Sequence, residues 1–319
     1  MPIITQPNRH PKKKQLNIKE FQEIKNKLLI IRNVGGLGDI LMHRMLFEDF
    51  KKLCPEIEIH FACPKYYHSA VEDHPFVDKI LTIEEIDRRK YLMSYNTSTI
   101  CGRYEMKYAP FCDKHRSDIW AEHCGLTLTE HNMHIHLSEV EKIEGKYILE
   151  KKRDRPGKIV ILSPISAMLN KNLTEEQIMG LVYNLRQKGY CVIGLHNTVI
   201  PCMLANDIPT IFDINLRQWL AVIHESDYVI SVDTATFHAA GGMKKPLVGI
   251  FTFVDGITYG KYFDFFLVQK HRNLDTNWEC GPCYEWGKCV KTLNTPKPCV
   301  TNITVEMILE KTEEMFKRW

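Results

Sequence analysis

Three groups of residues in this chain have types and spacings suited to chemistry. In residues 28–41, LLIIRNVGGLGDIL, the glycines Gly35, Gly36 and Gly38 lead directly into Asp39. Glycine permits positive φ and lets a ligand approach the main chain closely, and the N–H groups at the start of a following helix favour a negatively charged ligand. Asp39 therefore has two readings at this level: a carboxylate placed for chemistry, or a helix N-cap. A dinucleotide fingerprint fits less well, because the third glycine of G-x-G-x-x-G would fall at Leu41. The acid expected after the second strand is also missing, since that strand ends in Phe61, Ala62 and Cys63. No Gly-Lys-Ser/Thr follows, so the loop is not a P-loop. In the second group an apolar run over 227–232 delivers Asp233, Thr234, Ala235 and Thr236 onto the start of another helix. Thr234 there reads as an N-cap, a role compatible with holding an anion. The third group is Cys280, Cys283, Cys289 and Cys299, within twenty residues. Four thiolates, two of them in C-x-x-C, suit a tetrahedral metal, zinc or iron; with every position filled by protein, such a site would be structural. Reduced thiols or disulfides are the alternative. His131, His134 and His136 look ligand-like, but alternate spacing on a predicted strand divides them between two faces, so they are read as non-metal.

The elements that must position these groups alternate. Strand 28–34, a helix over about 40–53, strand 57–62, a helix over about 65–73 and strand 79–82 imply a parallel sheet with helices on its faces. Residues 87–136 are less regular. Arg88, Arg89, Lys90, Arg103, Lys107, Lys114, His115 and Arg116 make that region cationic, either as a solvated loop face or as the wall of a binding site. A helix near 117–124 closes this half. The charged stretch EKKRDRPG, 150–157, is the strongest boundary signal. A second alternating series follows: strand 158–162, a helix opened by the capping box Thr174-Glu175-Glu176-Gln177 and ended by Gly189, strand 190–194, helix 216–224, strand 227–232, and strand 247–251. An amphipathic helix over 305–317 ends the chain. This gives an N-terminal tail and short helix (1–27), a first doubly wound Rossmann-like domain (28–153), a second (154–303) carrying the cysteines at 280–299, and a C-terminal helix (304–319). Two such domains joined by one hinge would set their loop-bearing edges face to face, with ligands outside the carboxyl ends of the strands.

At 319 residues and 44% hydrophobic content the chain can fill two cores. Its net charge of +3 gives no general polyanion-binding surface, although Lys12, Lys13 and Lys14 cluster near the N-terminus. No apolar stretch approaches membrane-spanning length, and the first 26 residues lack the apolar centre of a secretory signal. The expected location is the cytoplasm or the inner membrane surface. Seven of the eleven cysteines are scattered singly and read as small buried hydrophobes.

Three segments then resemble a known family: RNVGGLGDIL (32–41), PFVDKI (75–80) and above all YVISVDTATFHAAGGMKKPLVGIF (228–251). They are similar to glycosyltransferase family 9, the bacterial lipopolysaccharide heptosyltransferases, which have the GT-B fold. The resemblance runs from about residue 28 to the C-terminus and is weak over 87–150. It implies an inverting transfer of a sugar, heptose by family default, from a nucleotide-diphosphate donor (an ADP-sugar by the same default) to an acceptor hydroxyl on a lipopolysaccharide-type glycan. Asp39, ending the loop after Gly38, would be the general base, with its pKa raised in a partly dry site. Lys171 and Ser166 would contact the donor phosphates together with Thr234 and Ala235, Asp233 would brace that loop, and His238 belongs to the most specific segment. For Lys171 the plain alternative is a surface lysine. His196 stands where the family carries the acid that holds the donor ribose, and Ile214 falls at the adenine-contacting position, so the nucleotide and sugar stay open. No Asp-x-Asp pair occurs, so catalysis would need no metal or other cofactor. Similar cysteine clusters occur near the C-terminus of some family members. Alternatives that keep the fold are glycosylation of a protein or a modified DNA base; a non-catalytic nucleotide-binding scaffold is the alternative outside enzymes.

Overall fold

The structure, a computed structural model, describes residues 26–270, 282–284 and 297–319. Lys12, Lys13, Lys14, Cys280 and Cys289 therefore lie outside the described residues. The chain divides into two compact units: one comprises the described residues up to Tyr104 together with Arg116–His136, and the other Glu105–His115 with Leu137–Trp319.

In the first unit the elements are β1 (Lys27–Ile31), α1 (Leu37–His43), α2 (Phe47–Leu53), β2 (Glu58–Ala62), β3 (Lys79–Leu81), β4 (Met93–Asn96), α3 (Ile100–Tyr108, whose last turn belongs to the second unit) and α4 (Arg116–His123). Its four strands pair in parallel in the order β3-β2-β1-β4. Leu28, Leu29 and Ile30 of β1 are wholly buried, as a continuous apolar run covered on both faces requires. The helix expected over 40–53 begins earlier, at Leu37, and is divided by a short 3-10 turn at Arg44–Leu46. That turn carries Arg44, which is completely buried and donates to both carboxylate oxygens of Asp73 and to the carbonyls of Ala70, Met133 and His134. The helix expected over 65–73 is a 3-10 segment, Lys65–Ala70. The strand expected through His131, His134 and His136 is absent, because His134 has φ +50°, outside extended backbone. Two of these histidines are tied to acids instead: His134 Nε2 lies 2.7 Å from Glu48 Oε2, and His131 Nε2 lies 3.3 Å from Asp118 Oδ1.

The second unit contains α5 (Glu139–Lys152), β5 (Ile159–Ser163), α6 (Glu175–Gln187), β6 (Cys191–Leu195), α7 (Pro201–Ala205), β7 (Thr210–Ile211), α8 (Leu216–Glu225), β8 (Tyr228–Val232), α9 (Ala235–Gly242), β9 (Leu247–Phe251), α10 (Gly256–Tyr259), β10 (Phe266–Gln269), α11 (Pro298–Thr301) and α12 (Val305–Arg318). Its six strands are parallel, in the order β10-β9-β8-β5-β6-β7. The capping box at Thr174 and Gln177 forms as expected, and Gly189 follows α6 with φ +85°. Helix α5 runs into the charged stretch at 150–157 yet belongs to this unit, because it packs on α8. A Cβ at Gly145 would stand 2.6 Å from the Ala221 backbone, so the glycine allows that approach. Glu141 accepts from Arg217 at 2.6 Å and Glu144 from Gln218 at 2.6 Å, which fixes the helix pair.

In both sheets the chain order reverses once, between β1 and β4 in the first and between β5 and β8 in the second. Such switch points open crevices at the carboxyl ends of the strands. No helix among the described residues is long and apolar enough to cross a membrane.

Candidate active site

At the switch point of the first unit, Arg32 follows β1 directly, and Thr97 and Ser98 follow β4. Arg32 is 4% exposed and donates from Nη1 to Thr97 O at 3.0 Å and Ser98 O at 2.9 Å, while Nη2 reaches Asp39 Oδ2 at 2.5 Å. A second guanidinium, from Arg116 at the start of α4, donates to Asp39 Oδ1 at 2.6 Å. Gly36, not Asp39, is the N-cap of α1, and Asp39 sits inside the first turn of that helix with its carboxylate spent on the two arginines. The capping reading is thereby overturned. Gly35 has φ +112°, and a Cβ there would fall 2.5 Å from both Arg32 Nη2 and Asp39 Oδ2. The glycine is thus required twice, for its backbone angle and for the space through which the ion pair forms. Gly38 is half-buried in α1, one residue before the carboxylate.

The raised pKa expected for Asp39 is corrected. Burial does push the carboxyl up, but Arg116 and Arg32 outweigh it and bring it down to about 2. His43, one helical turn on, is completely buried. Its Nδ1 lies 2.7 Å from Asp39 O and its Nε2 lies 2.8 Å from Thr97 Oγ1. A main-chain carbonyl can only accept, so Nδ1 carries a proton, while the Thr97 hydroxyl beside Nε2 donates to Ile31 O at 2.9 Å. The ring is neutral: burial first, then Arg32, lowers its pKa to about 3.

The second unit builds its site from successive strand ends. After β8 comes Asp233, 4% exposed, with Oδ2 2.7 Å from Lys171 Nζ and Oδ1 3.6 Å from His238 Nε2. Although burial raises the Asp233 carboxyl, Lys171 and His238 hold it well below the usual carboxylate range. Lys171 is no surface lysine: its side chain is 11% exposed, and the ammonium stands 5.7 Å from the Phe253 ring centroid. Thr234 caps α9, accepting from Thr236 N at 3.2 Å, and Ala235, the first residue of α9, is half-buried beside it. The Thr236 and Ser163 hydroxyls, 3.1 Å apart, tie the first turn of α9 to the end of β5. His238 is buried, and its Nδ1 has no hydrogen-bond partner among the described residues.

After β5, Ser166 shapes the loop that carries Lys171. Its hydroxyl donates to Met168 O at 2.9 Å and accepts from Met168 N at 3.0 Å, and its N–H donates to Asn172 Oδ1 at 2.7 Å. His196 follows β6, with Nδ1 accepting from Thr198 N at 3.2 Å and burial pulling its pKa down. Half-buried Ile214 follows β7, directly before Asn215, the N-cap of α8. Asp233, Ser166, His196 and Ile214 thus mark the carboxyl ends of four adjacent strands. Of the cysteines, Cys283 is half-buried, with its N–H bonded to Phe253 O at 3.0 Å, and Cys299 is buried in α11. Among the described residues no group of three or more His, Cys, Asp and Glu side chains is gathered to hold a metal.

Sequence reasoning missed Arg32, Arg116, His43 and Thr97. An arginine ending a fully apolar strand, directly before a glycine loop, was the available signal for Arg32. Along the sequence Arg116 is only one cation among several in a stretch read as a solvated face or the wall of a binding site; in the structure it is no solvated side chain but donates to Asp39.

No family model and no curated protein matches the chain by sequence. Solved structures do. The chain is similar to the ADP-heptose lipopolysaccharide heptosyltransferase II of Escherichia coli, with a TM-score of 0.66 and 16% identity over 92% of this chain and 99% of that one. It is similar to a family 9 glycosyltransferase from Veillonella parvula, with a TM-score of 0.69 and 14% identity over 93% and 99%. It is also similar to the iron-containing dodecameric glycosyltransferase TibC of enterotoxigenic E. coli, with a TM-score of 0.68 and 13% identity over 92% and 76%. At such identities the likeness speaks for the fold, and together with the two parallel α/β sheets it identifies the fold of this chain as GT-B, the fold of the family 9 heptosyltransferases.

Proposed function

We propose that the chain is an inverting glycosyltransferase that moves a sugar from a nucleotide-diphosphate donor to an acceptor hydroxyl, with heptose as the first sugar to try and a lipopolysaccharide-type glycan as the first acceptor class. The observation that carries this reading is the row of strand ends in the second unit. From β8 through β5 and β6 to β7 is three inter-strand steps, about 14 Å at the usual spacing. That length suits a nucleotide diphosphate laid along the sheet edge, with its phosphates at one end. Lys171, the Thr234 hydroxyl and the N-terminus of α9 stand at the β8 end, where a diphosphate needs positive charge and donors. His196 would face the ribose and Ile214 the base. Asp233 holds the lysine ready, and a diphosphate would compete with it for that ammonium. Heptosyltransferase structures that share the fold hold ADP and an ADP-heptose analogue, which makes an ADP-sugar the first donor to test.

Asp39 would take the acceptor proton as the hydroxyl attacks the anomeric carbon, and the electron pair of the breaking bond would leave with the nucleotide diphosphate. The charge needed there comes from Lys171 and the α9 N-terminus. The four cysteines would hold one structural metal: an all-thiolate donor set suits iron or zinc, Cys283 and Cys299 come from separate segments of the second unit, and the similar TibC is iron-containing.

The test is nucleotide release from a panel of sugar nucleotides, ADP-heptose first, with and without lipopolysaccharide-core acceptors. Acceptor-dependent release supports the reading; no release from any donor refutes it.

A further inference from the structure

Helix α5 has two apolar faces, and its own unit covers one of them. Gly145 and Leu149 are buried on the face that packs on α8, where Glu141 and Glu144 accept from Arg217 and Gln218. On the opposite face Val140, Ile143 and Tyr147 are 75%, 68% and 66% exposed. Their spacing of three and four residues puts them in one stripe about 60° wide, half a turn around the helix from Gly145. A surface helix needs a single apolar stripe to seat on its domain. A second stripe, contiguous and turned to solvent, marks an interaction surface.

The charges beside the stripe select its occupant. Glu139, Glu144, Glu150, Lys146 and Lys151 flank it, all exposed. An anionic membrane is met by helices rich in Lys and Arg, whereas here the two signs nearly balance. A protein surface of the same mixed kind fits better, and α5 itself supplies one. Turned antiparallel about a two-fold axis beside Ile143, the helix meets its copy with Ile143 on Ile143 and Val140 on Tyr147. Glu139 of one copy then stands level with Lys146 of the other to within about one residue, ~1.5 Å of rise. Glu139 is bonded to Lys142 within its own helix and is still mostly exposed, so it has oxygens left to accept. Every contact of this pairing occurs twice, as a two-fold interface requires.

We infer that the outer face of α5 is a dimer interface, on which two copies of the chain pair antiparallel through Val140, Ile143 and Tyr147, with Glu139 and Lys146 setting the register. The 14 residues of α5 span about 21 Å, so the pair is smaller than the standard interface of about 800 Å² per partner. Association in the micromolar range follows.

The experiment is sedimentation equilibrium of the full chain across micromolar concentrations. The wild-type mass should rise from one chain toward two. Ile143→Asp should hold it at one chain with an unchanged circular dichroism spectrum, because the side chain it replaces is exposed; Tyr147→Asp serves if that variant does not fold. Lys146→Glu and Glu139→Lys each set like charges across the axis and should each weaken self-association several-fold. Mixed in equal amounts, these two variants should associate again, since each copy then meets the opposite sign. A wild-type chain that stays at the mass of one chain overturns the proposal; if it floats with phosphatidylglycerol vesicles and Ile143→Asp does not, the face meets a lipid surface instead. A dimer that survives Ile143→Asp, or a mixture that associates no better than either charge variant alone, overturns it as well.

Discussion

Gly35→Ala is the perturbation that the local geometry reads most sharply. Gly35 holds φ +112°, and a Cβ would meet Arg32 Nη2 and Asp39 Oδ2, each at 2.5 Å. An L-residue forced to positive φ costs about 1–2 kcal/mol. Separating a buried ion pair costs up to about 3–5 kcal/mol when one charge is left alone. Here Arg32 keeps two carbonyls and Asp39 keeps Arg116, so neither charge is left alone and a smaller cost, about 1–3 kcal/mol, applies. The sum, about 2–5 kcal/mol, corresponds to a Tm lower by roughly 6–15 °C at about 3 °C per kcal/mol. Gly36→Ala is the control one residue away. Its φ is −86°, and a Cβ there meets nothing within 4 Å. Losing glycine at an N-cap and restricting the unfolded chain act in opposite senses, each by under about 1 kcal/mol, so its Tm should stay within about 2 °C of wild type. Both are measured by thermal unfolding followed by circular dichroism. Equal Tm values for the two variants would refute the claim that Gly35 clears the space for the Arg32–Asp39 pair.

Three further outcomes are expected. Lys171→Ala should weaken ADP binding by at least about tenfold, since it removes a charge-assisted contact of about 1.5–3 kcal/mol, as calorimetric titration would show; unchanged affinity would remove Lys171 from the donor site. Stability should fall in acid below about pH 6: burial together with Arg32 holds the His43 pKa at about 3, and burial together with Arg44 holds that of His74 at about 2, against an unfolded value of 6.5 for each. The unfolded chain then binds about two more protons, so stability drops by about 2.7 kcal/mol per pH unit until the folded pKa values are reached, and His43→Gln should halve that slope in urea titrations. Metal analysis of the purified chain should find about one iron or zinc per four clustered cysteines, lost in Cys283→Ala; a metal-free chain with all four thiols titrating would dismiss the metal.

Much of this was legible along the chain because it is local. The apolar runs that become β1, β5, β8 and β9, the box at Thr174 and Gln177, and the delivery of Asp233 to the start of α9 each depend on neighbours a few residues apart. What escaped depends on distant partners. Asp39 looked like a carboxylate that burial would make more basic. Instead Arg116, 77 residues on, reverses the sign of the shift. His131, His134 and His136 alternate like a strand, yet His134 turns to positive φ where Arg44, 90 residues earlier, binds its carbonyl. The charge run at 150–157 marked a boundary in composition, whereas Gly145 joins the preceding helix to α8. A glycine's value as a contact surface is invisible until its partner is known.

The central claim, that Asp39 moves a proton while the second unit holds the donor, is tested most directly in Asp39→Asn by measuring ADP affinity and sugar transfer on the same preparation. Donor affinity should match wild type while transfer falls by more than about 10²-fold, the scale of general-base catalysis. Transfer within a few-fold of wild type would contradict the assignment.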